Sequence, residues 1–258
     1  MEDAMIIEKV KQHSKYVTEK IKASQIMTVL IGSQNYQLDT ENSDIDTVTF
    51  VFPTSYDIVF NKKPVSSEFN VSDGKCVVKD IRLAFDLLRK PSPNSVEWFI
   101  TKYKYYNPLY ENILKYYLEN QAILFLLTHA NYKNAIAATV GAARGYYLRG
   151  NNISDGKKVA NVLRLKNFIL NYLDEECNPK DYFLFKEDEL QIARAMKNEK
   201  ENSSFFIKNL CDIIDELLEI QQNFSITEKH HINEKNGAAL IDNFQEVLFN
   251  KYFNLVIK

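Results

Sequence analysis

The sequence predicts an α+β protein: a small mixed sheet with flanking helices in residues 1–105, then an all-helical half in residues 106–258. Three observations carry that expectation. β-Branched runs at Ile26–Ile31, Asp44–Phe52 and Lys75–Lys79 all lie in the first third of the chain. Beyond residue 105, apolar residues recur at helical spacing. Glycine (7) and proline (6) are scarce while tyrosine (15) and phenylalanine (16) abound, which fits helices packed through rings and argues against an all-β fold.

Element by element, Ile6, Ile7, Val10, Val17 and Ile21 place a helix over 3–24. Ile26–Ile31 is a short buried strand, and Ser33–Leu38 turns once as a helix after Gly32. Asp39-Thr40-Glu41-Asn42 is a polar loop, and Asp44–Phe52 is a strand ended by Pro53. Residues 54–74 fit no single element, with a turn at Ser72-Asp73-Gly74. Lys75–Lys79 is a third strand, followed by a helix over Asp80–Arg89 whose Ile81, Phe85 and Leu88 share a face. Pro91-Ser92-Pro93-Asn94 breaks it, and Asn94 or Ser95 caps the next helix. Further helices are expected near 107–120, 121–128, 131–149, 154–174, 187–197, 202–223 and 237–256, with Asn151–Gly156 as a separator and Ser225–Asn236 as a polar loop.

Composition narrows the function. With 32 basic and 34 acidic residues the formal charge is −2, so no strong overall field draws the chain to nucleic acid or anionic membrane. Cys76, Cys177 and Cys211 are odd in number and irregular in spacing, which suits reduced thiols in a cytoplasmic protein rather than a disulfide framework or zinc site. An acidic Met1-Glu2-Asp3-Ala4 start without an apolar stretch after it argues against a signal peptide, and no run approaches a membrane span.

The informative motif is Val29-Leu30-Ile31-Gly32-Ser33 followed by Ser43-Asp44-Ile45-Asp46. It reads as a strand, a Gly-Ser turn, a bridge and a second strand opening on alternating carboxylates. Residues i and i+2 of a strand share a face, so Asp44 and Asp46 project together beside a turn expected to have free amides. Paired carboxylates suit hard divalent cations, and free amides suit phosphate. The combination suggests metal-assisted chemistry on a nucleoside triphosphate.

Gly32-Ser33, Tyr36, Leu38 and Ser43-Asp44-x-Asp46 together resemble the signature of the DNA polymerase β-like nucleotidyltransferase superfamily, and within it the branch of predicted bacterial and phage nucleotidyltransferases. The resemblance is strong over residues 27–53, continues more weakly through Asp80–Ile100, where Arg89-Lys90-Pro91-Ser92-Pro93-Asn94-Ser95-Val96-Glu97 echoes a segment of that branch, and has a faint echo from Gly156-Lys157-Lys158 to Leu165. It implies that Gly32 and Ser33 hold phosphate and that Asp44 and Asp46 hold Mg²⁺ or Mn²⁺. It also implies a third carboxylate on a later strand. Aligning the Pro-Asn dipeptides puts that position near Lys75, a lysine, with Asp73 and Asp80 as nearby acids. The expected catalytic set is Asp44, Asp46 and Asp80, with Asp73 the other candidate and helix capping the alternative role for Asp80.

Arg144, Arg149, Lys157, Lys158 and Arg164 are the helical-half cations of interest. Similar two-domain transferases reach the triphosphate with such side chains, which makes Lys157, Lys158 and Arg164 nucleotide-binding candidates; a solvated helix face is the alternative. Trp98 reads as a packed aromatic, His13 and His129 as isolated, and His230-His231 as a poor chelate. The expectation is a metal-dependent nucleotidyltransferase acting on an RNA or tRNA end, a protein or a small molecule; the alternative is a nucleotide-binding or protein-interaction module without turnover.

Overall fold

The computed structural model describes residues 3–21, 23–40, 43–148, 154–199 and 204–256. Helix α1 (Asp3–Lys20) leads into β1 (Gln25–Ile31), a 3₁₀ turn (Ser33–Tyr36) and β2 (Asp46–Val51). The indeterminate stretch after Pro53 resolves into α2 (Ser55–Val59) and β3 (Ser66–Val71), which forms a hairpin with β4 (Gly74–Asp80). Helices α3 (Ile81–Arg89) and α4 (Pro93–Ile100) precede a last strand, β5 (Lys104–Tyr106). The remainder is helical: α5 (Glu111–Leu118), α6 (Gln121–Thr128), α7 (Tyr132–Leu148), α8 (Asp155–Leu173), α9 (Glu187–Asn198), α10 (Ser204–Asn223) and α11 (Glu228–Val256).

The five strands run in the order β3-β4-β2-β1-β5, with β2 and β4 parallel and the other neighbours antiparallel, so the fold is α+β with a small mixed sheet. Alternation divides the side chains between two faces. Leu30, Val51, Cys76 and Val78 face α1, meeting Ile6, Val10 and Val17. Val29, Val48 and Phe50 join the large cluster on the other face, built with α4 and continuous with Leu127, Phe168 and Phe244 of the helical half. That side is stitched by rings: Phe50 lies 5.6 Å from Trp98, and Phe52 stacks 4.1 Å from Tyr252 of α11.

Three local expectations change. Ser92, not Asn94 or Ser95, caps α4, in a reciprocal box with Ser95 that places Pro93 in the first helical turn. Strand β5 was not expected; three residues are too few to show alternation, and pairing with β1 fixes them. Residues 228–236 are helix rather than loop. Thr227 and His230 exchange side chain–backbone hydrogen bonds at the start of α11, and Glu234 accepts the Tyr132 amide at 2.9 Å, so capping and a tertiary anchor overcome weak periodicity. Glu41-Asn42, Arg149 and Asn151-Asn152-Ile153 lie outside the described residues. Among the described residues, no helix is long and apolar enough to cross a membrane.

Candidate functional site

A cleft of about 650 Å³ opens between the sheet and helices α8 and α9. Its sheet wall carries Gly32, Ser33, Asp44, Asp46, Val48, Val77 and Lys79; its helical wall carries Tyr146, Lys157, Asn161, Arg164 and Lys197, with Asn94, Glu97 and Trp98 of α4 between them. The wall order follows from register. Asp46 pairs with Ile31 at the end of β1, so the Gly-Ser turn sits beside the first carboxylate of β2. On the parallel side Val48 lies opposite Val77, and the same-face neighbours on β4 are therefore Lys75 and Lys79.

The Gly-Ser turn is held by an acid that sequence reasoning passed over. Gly32 adopts φ +102°, which favours glycine, and its N–H donates to Glu97 Oε1 at 2.6 Å, so this amide is not free as expected. Asn35 Nδ2 donates to the same oxygen at 2.8 Å, and Arg164 Nη1 lies 4.0 Å from Oε2. Burial pushes the Glu97 carboxyl up, opposed by the Arg164 charge and by the hydrogen bonds it accepts. The signal was present: Glu97 closes the Pro93-Asn94-Ser95-Val96-Glu97 segment, but its partners are more than sixty positions away in sequence.

Arg164 stacks over Tyr36, with its guanidinium carbon 4.3 Å from the ring centroid, and is 5% exposed. Its Nε and Gln34 Oε1, both buried next to the same turn, have no hydrogen-bond partner within the protein, while Tyr36 Oη shares its surroundings with the Glu97 carboxyl. Most buried polar groups find partners, so two unsatisfied atoms beside one turn could take a polar ligand or water.

Asp44 is exposed and Asp46 half-buried. Partial burial raises the Asp46 carboxyl; the Lys75 backbone N–H, donated at 3.0 Å, opposes this, and the neighbouring Asp44 charge adds to it. A carboxylate whose proton affinity is raised by burial and by a neighbouring carboxylate suits a hard cation, which replaces the proton. Among the described residues, no cluster of three or more His, Cys, Asp or Glu able to hold a metal is present, so a cation here would complete its shell with phosphate and water.

Asp80 does not join this pair. It pairs with Val51 at the far end of β4, five positions from Lys75 and so about 16 Å along the strand. There it caps α3, accepting from Arg82 N at 2.9 Å and Arg82 Nη2 at 2.6 Å. Asp73 lies on the α1 side. It bonds His13 Nε2 at 2.8 Å and Lys9 Nζ at 3.0 Å, and although burial acts to raise its carboxyl, these donors hold it below the usual range. His13 is thus not isolated: its Nδ1 also meets Thr47 Oγ1 at 3.0 Å.

The helical cations divide. Lys157 and Arg164 line the cleft, joined by Asn161 one turn from each. Lys158 points away, buried against Asp155 at 2.9 Å, and Arg144 faces a separate groove with Cys211 and Leu218. Lys197 was not expected. Burial and the neighbouring Lys157 lower its pKa, and it donates to the Leu38 carbonyl. Gly156 makes this approach possible, since a Cβ there would stand 2.2 Å from the Met196 carbonyl. Lys79 of β4 lies apart from these, on the sheet wall, its Nζ 5.3 Å from the Trp98 ring centroid. Lys157, Arg164 and Lys197 on the helical wall thus face Asp44 and Asp46 on the sheet wall, where Lys79 also lies.

No family model matches the chain, and no curated protein matches it. Among solved structures it is similar to a nucleotidyltransferase-like protein from Exiguobacterium sibiricum 255-15, at 12% identity over 83% of this chain and 74% of that one, with a TM-score of 0.30. So low a score does not establish a shared fold.

Proposed function

We propose that the cleft binds a nucleoside triphosphate with Mg²⁺ or Mn²⁺ and transfers the nucleoside monophosphate to an acceptor, releasing pyrophosphate. The observation that supports this most is the convergence on one cleft of the Gly32–Ser33 turn, the Asp44–Asp46 pair and the cations Lys157, Arg164 and Lys197. A triphosphate is polyanionic, and cations on the helical wall opposite a metal-suited carboxylate pair divide its charge between them. The G-S…S-D-x-D spacing and its resemblance to polymerase β-like nucleotidyltransferases point the same way.

In this reading Asp44 and Asp46 hold the cation, and Ser33 contacts phosphate from the turn that Glu97 braces. Arg164, already ordered by Tyr36 and Glu97, offers its unused Nε. When bound, the divalent ion neutralises charge at the reacting phosphorus. Lys157 and Lys197 act as point charges at the cleft rim, so nucleotide affinity falls as salt rises.

The test is titration calorimetry with each NTP, with and without Mg²⁺, beside a pyrophosphate-release assay. Wild-type protein is expected to bind and turn over, and Asp44→Asn with Asp46→Asn is expected to remove metal-dependent binding and release. Unchanged turnover in the double variant would sink the proposal. A second reading, binding without transfer, is favoured by β4, which presents Lys75, Val77 and Lys79 to this face and no carboxylate. Metal-dependent binding with no release for any acceptor would select it.

A further inference from the structure

The β4 part of the cleft wall carries its own chemical information. Beside the β2 carboxylate, β4 offers Lys75, Val77 and Lys79 on the cleft face. Lys79 sits over Trp98, 5.3 Å from the ring centroid, and its Nζ is 3.3 Å from Ser66 Oγ. It donates a hydrogen bond to that neutral hydroxyl, and burial lowers its pKa. Lys75 is held by Glu68 at 2.8 Å, and Glu68, opposite Val77 on β3, is the next carboxylate outward on this face. Glu97 is engaged with Gly32, Asn35 and Arg164.

A hydroxyl acceptor must give up a proton as it attacks, and a positioned base accelerates that. The part of this wall that β4 builds carries Lys75, Val77 and Lys79, whose ammonium groups attract an anion and, when charged, take up no proton. The geometry points to an acceptor that arrives already ionised: a phosphate monoester seated on Lys79 between β4 and Trp98. This rests on the nucleotidyl-transfer reading above and names its acceptor class. The step balances without a base. One phosphate oxygen of the acceptor forms a bond to the α-phosphorus, the bond from that phosphorus to the bridging oxygen of pyrophosphate breaks, and its electron pair leaves with pyrophosphate. No proton moves.

The experiment compares matched acceptors in the full-length protein with NTP and Mg²⁺, reading pyrophosphate release and label transfer from α-labelled NTP. The pairs are ribose 5-phosphate against ribose, and 5′-phosphorylated against 5′-hydroxyl oligothymidylate, which separates a small sugar phosphate from a nucleic-acid end. A phosphorylated member of at least one pair is expected to react about tenfold faster or more than its partner, the scale of one charge-assisted contact. Lys79→Met, which preserves the packing on Trp98, is expected to raise KM for the phosphorylated acceptor about tenfold while leaving the NTP dissociation constant unchanged. Glu68→Gln is expected to change neither. Preferred use of the hydroxyl members, release that collapses in Glu68→Gln, or NTP binding with no transfer to either phosphorylated acceptor overturns the acceptor class while leaving nucleotide binding intact. Absence of NTP binding in the wild-type calorimetry overturns the underlying reading, and this inference with it.

Discussion

The two faces of the sheet carry polar clusters within a residue of each other on β2, yet they are built to different ends. On the α1 face Thr47 meets His13, His13 meets Asp73, and Asp73 meets Lys9, so the chain is closed and every member is engaged. On the cleft face Asp46 shares its surroundings with Asp44, while Gln34 and Arg164 each keep a buried polar atom without a hydrogen bond inside the protein. A satisfied cluster stabilises; one with like charges together and unsatisfied polar atoms can gain from a ligand. The contrast separates polar residues closed on one another from polar residues that are not.

That contrast can be broken by substitution, beginning with the largest effect. Glu97→Ala removes the acceptor for Gly32 and Asn35 and leaves Arg164 as an uncompensated buried charge, so it is expected to destabilise by about 3–5 kcal/mol, read as a shift of the urea midpoint. Glu97→Gln keeps an acceptor oxygen and should lose less stability while still weakening NTP binding. Equal stability of Glu97→Ala and wild type would show that the turn holds its shape unaided.

The pH dependence of folding sharpens the comparison from outside the cleft. Burial lowers His129 to about 4, against the Tyr172 and Phe125 carbonyls, which favour its charged form. The unfolded ring titrates near 6.5, so between those values the unfolded chain binds more protons, and stability falls as pH drops through that window. The full span is worth about 3 kcal/mol. Denaturant midpoints at pH 7 and pH 5 are expected to differ in wild type and to converge in His129→Gln; the same slope in both would assign the effect elsewhere.

The smallest effect belongs to the satisfied face. His13→Ala is expected to destabilise by about 1–3 kcal/mol through the lost bonds to Thr47 and Asp73. Nucleotide binding should remain, measured by calorimetry with Mg²⁺. Loss of binding at full stability would move His13 into the site.

Much of this was legible in the residues. The Gly32-Ser33 turn and Asp44-x-Asp46 stand within fifteen positions, so the antiparallel pairing of neighbouring strands β1 and β2 brings them to one place. Lys75, Asp73 and Asp80 were harder. They lie within eight residues of one another, yet the strand alternation, the hairpin and the helix cap send Lys75 beside Asp46, Asp73 to α1 and Asp80 to Arg82. Lys157 and Lys158 are neighbours in sequence, but a helix turns adjacent residues about 100° apart, so one lines the cleft and the other is buried on Asp155.

The sequence by itself determined the α+β class, the helical second half, and a carboxylate pair beside a Gly-Ser turn, because each rests on residues a few positions apart. That Glu97 braces that turn, that Arg164 and Lys197 line the opposite wall, and that β4 turns lysines rather than a carboxylate to the cleft face came from the tertiary fold. Those outcomes depend on strand register and on helix packing across more than sixty residues, and the energies that fix them are contacts between segments that no local pattern records.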